Sequence, residues 1–259
     1  MSKKLIFMDL DGTIIDHKTN TILESTKRVI KNLQTNGHTV VIATGRPPCL
    51  FYDIDKTLNI DTYIAANGRY VKHQDKVLLN DALNPEIVNL FVEEMAQKGY
   101  DVGFETADKY VVNTISNDFV EKFSNHFHLP LPEVIENFHL SNDILQMILF
   151  TDDDNQIEYL KNRYPELDFN ISCPYGIDIN AVGGMKEVGV KLLTKYLGFP
   201  IKDTIAIGDG HNDIGMLEHA NVGIAMGNAP KAVKDIADYT TKDSHQDGIE
   251  YILKKLKLV

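Results

Sequence analysis

Lys4-Leu5-Ile6-Phe7-Met8-Asp9-Leu10-Asp11-Gly12-Thr13 is an apolar run that stops abruptly in two carboxylates one residue apart. On an extended chain, Asp9 and Asp11 at i and i+2 share a face, and Leu10 points the other way. A short apolar run bounded by glycine reads as a buried parallel strand, and ligands of open α/β sheets gather at the carboxyl ends of such strands. A plain turn reading accounts for Asp11-Gly12 and leaves Asp9 unexplained. A calcium loop counted from Asp9 fails: its glycine comes too early, and Asn20 stands where the bidentate Glu belongs.

Outward from this stretch the texture is strand and helix in alternation. Residues 25–36 carry Val29, Ile30 and Leu33 at helical spacing and stop at Gly37. Residues 39–43 are a β-branched strand that runs into Thr44-Gly45-Arg46-Pro47, with Pro47 placed to open the next helix. Strand, helix and strand at this spacing form a right-handed parallel crossover. Residues 61–66 repeat the pattern, and a hairpin follows that turns near Gln74-Asp75. From Asn84-Pro85 the texture changes to paired strands with helices between them, at 101–105, 110–112, 146–150, 168–172 and 176–180. At Gly183-Gly184 the first texture returns, with a helix over 185–197 and a strand over 204–207 that ends in Gly208-Asp209-Gly210-His211-Asn212-Asp213. The expected fold is therefore a doubly wound, mostly parallel α/β sheet built from residues 1–81 and 183–259. It is interrupted by an inserted α+β module over 82–182, with Gly183-Gly184 read either as one hinge or as a tight turn.

A net charge of −11 and 43% hydrophobic residues predict a soluble, globular protein that avoids non-specific contact with nucleic acid or anionic membrane. No secretory core segment and no uncharged span of membrane length are present, which predicts a cytoplasmic location. Cys49 and Cys173 lack metal-ligand spacing and read as reduced packing residues. The basic cluster Lys254-Lys255-Leu256-Lys257 reads as the favourable end of a terminal helix.

Three strands end in chemistry: Asp9 and Asp11 on the first, Thr44 on the second, Asp209 and Asp213 beyond a later one. Parallel strands deliver their carboxyl ends to one edge, so these groups can converge. Crowded carboxylates need a cation, and an all-oxygen set suits Mg²⁺ and not zinc. Thr44, Asn212, loop amides and Lys186 at a helix start are donors for a phosphoryl group. Read singly, Lys186 is a surface lysine and Thr44 a strand-end cap; the ordered set is what carries weight.

In order, Asp9-Leu10-Asp11-Gly12-Thr13, Thr44-Gly45-Arg46, Lys186 and Gly208 to Asp213 resemble the four motifs of the haloacid dehalogenase-like hydrolases. Asn67-Gly68, Gly227-Asn228-Ala229-Pro230 and the insertion resemble the Cof-type phosphatases with a C2B cap. One departure is Glu187, where these proteins often have Gly. The resemblance spans essentially the whole chain and implies a Rossmann-like core with a substrate-selecting lid. It implies a Mg²⁺-dependent phosphomonoester hydrolase acting on a small phosphorylated metabolite, with no obligatory protein partner. By it, Asp9 is the nucleophile and Asp11 the acid and base; Mg²⁺ is held by the Asp9 carboxylate, the Asp11 carbonyl and Asp209, with Asp213 in support. Thr44, Lys186, Asn212 and the amides of Leu10 and Gly45 bind phosphate oxygens. Arg46 on the core, and Tyr110, Asn113, Tyr175 and Asp178 on the cap, are candidates to face substrate, and strand phase leaves the choice among them open. A phosphomutase, a receiver-like signalling domain and a sugar-phosphate sensor are the rival readings.

Overall fold

Leu5–Met8 is a strand with all four side chains buried, as a parallel strand covered on both faces must be. Its neighbours are Thr39–Ala43 and Thr204–Gly208, both parallel and in the same register: Leu5 lies opposite Thr39 and Thr204, and Met8 opposite Ile42 and Ile207. The computed structural model describes residues 2–127, 129–153, 155–183 and 186–259. Among these, eight strands form the larger sheet. Its order runs Tyr239–Thr240, Val222–Ala225, Thr204–Gly208, Leu5–Met8, Thr39–Ala43, Thr62–Ala65, Tyr70–His73, Lys76–Asn80. The first six are parallel, and the last two turn back antiparallel. The sheet is thus doubly wound and mostly parallel.

Helices cover it where the sequence carries apolar stripes. Glu24–Thr35 buries Val29, Ile30 and Leu33, and Gly37 follows at φ +81. Lys186–Tyr196 buries Val190 and Leu193 in the same cluster as Leu5, Phe7, Val41 and Ile64. The chain divides into two compact units, Met1–Arg46 with Phe51–Asn80 and Met185–Val259, and Pro47–Leu50 with Asp81–Gly184. In the second unit, six strands among the described residues run in the order Glu133–Val134, Tyr110–Val112, Asp101–Glu105, Gln146–Phe150, Gly176–Ala181, Leu167–Cys173. Val102 and Phe104 face one way, into a cluster with Val88, Phe91 and Leu160 of the helices Pro85–Gln97 and Gln156–Arg163. Ile148 and Phe150 face the other way, toward Val120 and Phe123 of Phe119–Phe127.

Short elements depart from the sequence expectation. Pro47 opens no long helix: a single 3-10 turn, Pro48–Leu50, precedes the five-residue helix Ile54–Leu58. The hairpin Ile15–Asp16 with Thr21–Ile22, and the edge strand Tyr239–Thr240, are too short to leave a period in the sequence. Of the expected hinge, Gly183 has φ +82 and Gly184 lies outside the described residues, as does Met185 at the expected helix start. Cys49 and Cys173 are free thiols. Lys254 pairs along its own helix with Glu250 at 3.0 Å. No helix among the described residues is long and apolar enough to cross a membrane.

Candidate active site

The register of the central strands decides where the acids meet. With Met8 opposite both Ile42 and Ile207, the residues one step on fall side by side at the carboxyl edge of the sheet: Asp9 between Ala43 and Gly208, with Thr44 and Asp209 one residue further. Carboxylate oxygens of Asp9, Asp209 and Asp213 all lie within 4.8 Å of one another. Asp9 is 5% exposed and Asp213 fully buried. Lys186, from the start of its helix, is fully buried as well, and its Nζ donates to Asp9 Oδ1 at 2.5 Å and to Asp213 Oδ1 at 2.6 Å. The remaining oxygen of Asp213 accepts the amides of Asp209 at 2.9 Å and Gly210 at 2.8 Å. Both Asp213 oxygens are therefore committed to the protein, and this carboxylate shapes the loop instead of offering itself outward.

Charge bookkeeping within this group is lopsided. Asp9, Asp209 and Asp213 bring three negative charges against the one positive charge of Lys186, a formal surplus of −2 in a group of which only Asp209 is partly exposed. The protonation equilibria respond accordingly. Burial, reinforced by Asp213, pushes Asp9 well above the usual carboxylate range despite Lys186. Burial and Asp213 also raise Asp209, against the Thr13 hydroxyl that donates to it. Burial alone would lower Lys186, but Asp9 and Asp213 outweigh it and hold the ammonium protonated. An all-oxygen donor set with a surplus of two negative charges fits a hard divalent cation such as Mg²⁺.

Asp11 stands apart from this buried set. Its carboxylate is half exposed and held by the Arg46 fork, Nε to Oδ2 at 2.9 Å and Nη2 to Oδ1 at 2.5 Å. Arg46, taken from the sequence as a candidate to face substrate, is thus engaged by the second acid of the first motif. Thr44 is buried, and its Oγ1 accepts the Arg46 amide at 3.1 Å. Gly45 lies against the side-chain amides of Asn67 and Asn212, which are themselves joined at 3.0 Å. Leu10, buried, follows Asp9, and its carbonyl accepts the Ile15 amide at 2.7 Å. Glu187 pairs with Lys191 along its helix, so the departure at this position is absorbed locally.

Several residues that sequence reasoning left without a role complete the arrangement. Asn228 Nδ2 donates to Asp209 Oδ2 and to the Gly12 carbonyl, both at 2.9 Å, joining the first and last motifs. Thr13 Oγ1 donates to Asp209 Oδ1 at 3.3 Å. The Gly227-Asn228-Ala229-Pro230 step was the available signal for Asn228; Thr13 carried none beyond its place in the motif. In the second unit, Asn113 is spent on the backbone, its Oδ1 accepting the amides of Val102 and Thr114 at 2.8 Å. Burial, followed by the charge of Asp178, pushes Glu105 up to about 8, and burial raises Asp178 to about 6. Glu105, on a strand read only as a strand, gave no signal in the sequence.

A doubly wound sheet that gathers acids and a buried lysine at the carboxyl ends of its central parallel strands has the layout of an α/β enzyme. The chain belongs to the haloacid dehalogenase-like hydrolases, whose family model matches residues 6–253. It is 35% identical to "Putative phosphatase YkrA" of Bacillus subtilis, covering all of both chains. It is also 30% identical to the pyridoxal phosphate phosphatase YbhA of Escherichia coli, over 96% of this chain and 97% of the relative. A crystal structure of a hypothetical protein from Geobacillus kaustophilus superposes with a TM-score of 0.95 at 34% identity, covering all of both chains. The chain is a phosphatase, a hydrolase acting on phosphoric monoesters.

Proposed function

We infer that this phosphatase is Mg²⁺-dependent and cleaves the monoesters of small phosphorylated metabolites, sugar phosphates or similar compounds, through an aspartyl-phosphate formed on Asp9. The observation that carries the reading is the group of buried Asp9, Asp213 and Lys186 with half-buried Asp209, and its formal surplus of two negative charges. The cation would be held by the Asp9 carboxylate, the Asp11 carbonyl and Asp209, while Asp213 orients the loop. When bound, Mg²⁺ offsets the repulsion between an anionic nucleophile and an anionic phosphate.

Asp9 attacks phosphorus, an Asp9–phosphorus bond forms and the ester bond breaks. Asp11 gives its proton to the departing alkoxide, then takes one from the water that cleaves the intermediate and restores Asp9. To do so Asp11 exchanges Arg46 for the substrate, and Arg46 is left to pair with substrate charge. Lys186 fixes the attacking carboxylate, and Thr44, Asn212 and the amides of Leu10 and Gly45 receive the phosphate oxygens. The inserted unit, which leaves the core after Asn80 and returns before Lys186, supplies substrate-selecting groups and excludes water. Support for a small phosphorylated substrate comes from the relative named as a pyridoxal phosphate phosphatase.

The test is phosphate release from a panel of sugar phosphates, nucleotides, pyridoxal phosphate and flavin mononucleotide. Wild-type turnover is expected to stop on chelation with EDTA and return with Mg²⁺, and Asp9→Asn to lose on the order of a thousandfold or more in kcat while keeping its melting temperature. Undiminished activity after chelation removes the metal assignment, and wild-type kcat in Asp9→Asn removes the nucleophile. An isomeric sugar phosphate in place of inorganic phosphate marks a mutase.

A further inference from the structure

Three consecutive residues after the strand Thr62–Ala65 take left-handed backbone: Ala66 at φ +47, Asn67 at φ +51 and Gly68 at φ +95. Glycine adopts this region freely and asparagine tolerates it, but alanine does so at a cost that persists only where the surroundings impose it. Here the surroundings are the second motif. The Ala66 amide donates to the Arg46 carbonyl at 3.0 Å and the Asn67 amide to the Thr44 carbonyl at 3.2 Å, so the turn grips the chain on both sides of Gly45. We propose that Asn67 is a positioning residue for the phosphate and acts through Asn212, by fixing which end of that side-chain amide the phosphate meets.

Asn212 needs such a partner. It stands in the one-turn helix His211–Asp213 and is exposed, so packing does not hold its side chain. Its Nδ2 donates to Asn67 Oδ1 at 3.0 Å, the one side-chain hydrogen bond it makes among the described residues. The two ends of the amide have different neighbours. A Cβ on Gly45 would lie 3.6 Å from Nδ2, whereas a Cβ on Gly210, in the loop of Asn212 itself, would lie 2.5 Å from Oδ1. One hydrogen of Nδ2 is spent on Asn67, and the other stays available on the Gly45 side. Turned over, the same side chain would present a carbonyl oxygen to an anion and repel it. With Asn212 a donor to phosphate, as inferred above, the choice between attraction and repulsion falls to Asn67.

Asn67 is itself anchored from two directions. Its backbone is zipped to the second motif, and its side chain lies against Gly45, where an added Cβ would come 3.2 Å from Oδ1 and 3.3 Å from Nδ2. The loops that follow three parallel strands, Thr39–Ala43, Thr62–Ala65 and Thr204–Gly208, are thus joined at one point on the carboxyl edge of the sheet. Asparagine suits the position twice. It tolerates left-handed backbone, and it supplies a short neutral acceptor where aspartate would bring a charge that repels phosphate.

Inorganic phosphate is the probe, used as a competitive inhibitor of p-nitrophenyl phosphate hydrolysis by the full chain in Mg²⁺. Glycine keeps the left-handed backbone and removes only the side chain, so Asn67→Gly is the variant to make. Its Ki for phosphate is expected to rise about tenfold at an unchanged melting temperature. Asn212→Ala should do the same, and the double variant should be no worse than Asn212→Ala alone. The side-chain amide resonances of Asn212, recognised by their loss in Asn212→Ala, should move on phosphate addition in the wild type and stay in place in Asn67→Gly. A wild-type Ki in Asn67→Gly overturns the proposal, as does an additive double variant, which would mark independent effects. A wild-type Ki in Asn212→Ala removes the phosphate role of Asn212, and the proposal with it.

Discussion

Lys186 is the residue on which the buried electrostatics turn. It touches two carboxylates at 2.5 and 2.6 Å with no exposure of its own. Removing one partner of such a group leaves uncompensated charge in a low dielectric, and the loss exceeds the net worth of the ion pair. Lys186→Met is therefore expected to destabilise the first unit by about 3–5 kcal/mol in urea unfolding, as well as to abolish phosphate release. The sequence placed Lys186 in the set through motif order alone, because nothing in a lysine at a helix start announces full burial. Arg46 shows the complementary failure. The sequence offered it to substrate, and it forks onto Asp11, a pairing fixed by two loop conformations that no spacing encodes.

Among the elements, the loop after Leu5–Met8 depends on one backbone choice. Gly12 has φ +77, and a Cβ there would collide with the Asp209 carboxylate. Gly12→Ala faces strain from the dihedral and displacement of Asp209 together. Its expected result is a fall in kcat/KM on the order of a hundredfold, accompanied by a higher Mg²⁺ concentration for half-maximal rate; wild-type kinetics would detach the loop from the metal site. These elements were legible from unbroken apolar or β-branched runs and from helical spacing with end signals: the strands Leu5–Met8 and Thr39–Ala43, the helix Glu24–Thr35 with its glycine stop, and Pro85–Gln97 with Asn84 accepting the Glu86 amide at 2.9 Å. Two-residue strands and one-turn helices hold too few side chains to show a period, so the Ile15–Asp16 hairpin came only from coordinates.

For the molecule as a whole, both units store acids with raised proton affinity, Asp9 and Asp209 in one and Glu105 in the other. A raised folded-state value means that the native chain binds protons the unfolded chain has released, so this stability is complete below the unfolded value and is lost as pH rises through the folded one. For Glu105 the window runs from its ordinary value of 4.5 to about 8. Glu105→Gln is expected to flatten the decline of unfolding free energy across that window by up to about 1.4 kcal/mol per pH unit. Urea melts at stepped pH read the slope, and an unaltered slope refutes the assignment.

The order of the larger sheet also sets a timetable for biosynthesis. Leu5–Met8 is made before both of its flanking partners, and one of them, Thr204–Gly208, follows about two hundred residues later, after the whole second unit. At ~5–20 residues per second the apolar opening strand waits for many seconds with an unsatisfied edge. During that interval Asp9 has neither Lys186 nor Asp209 beside it, so the charge-paired group at the sheet edge assembles only after the second unit has been made.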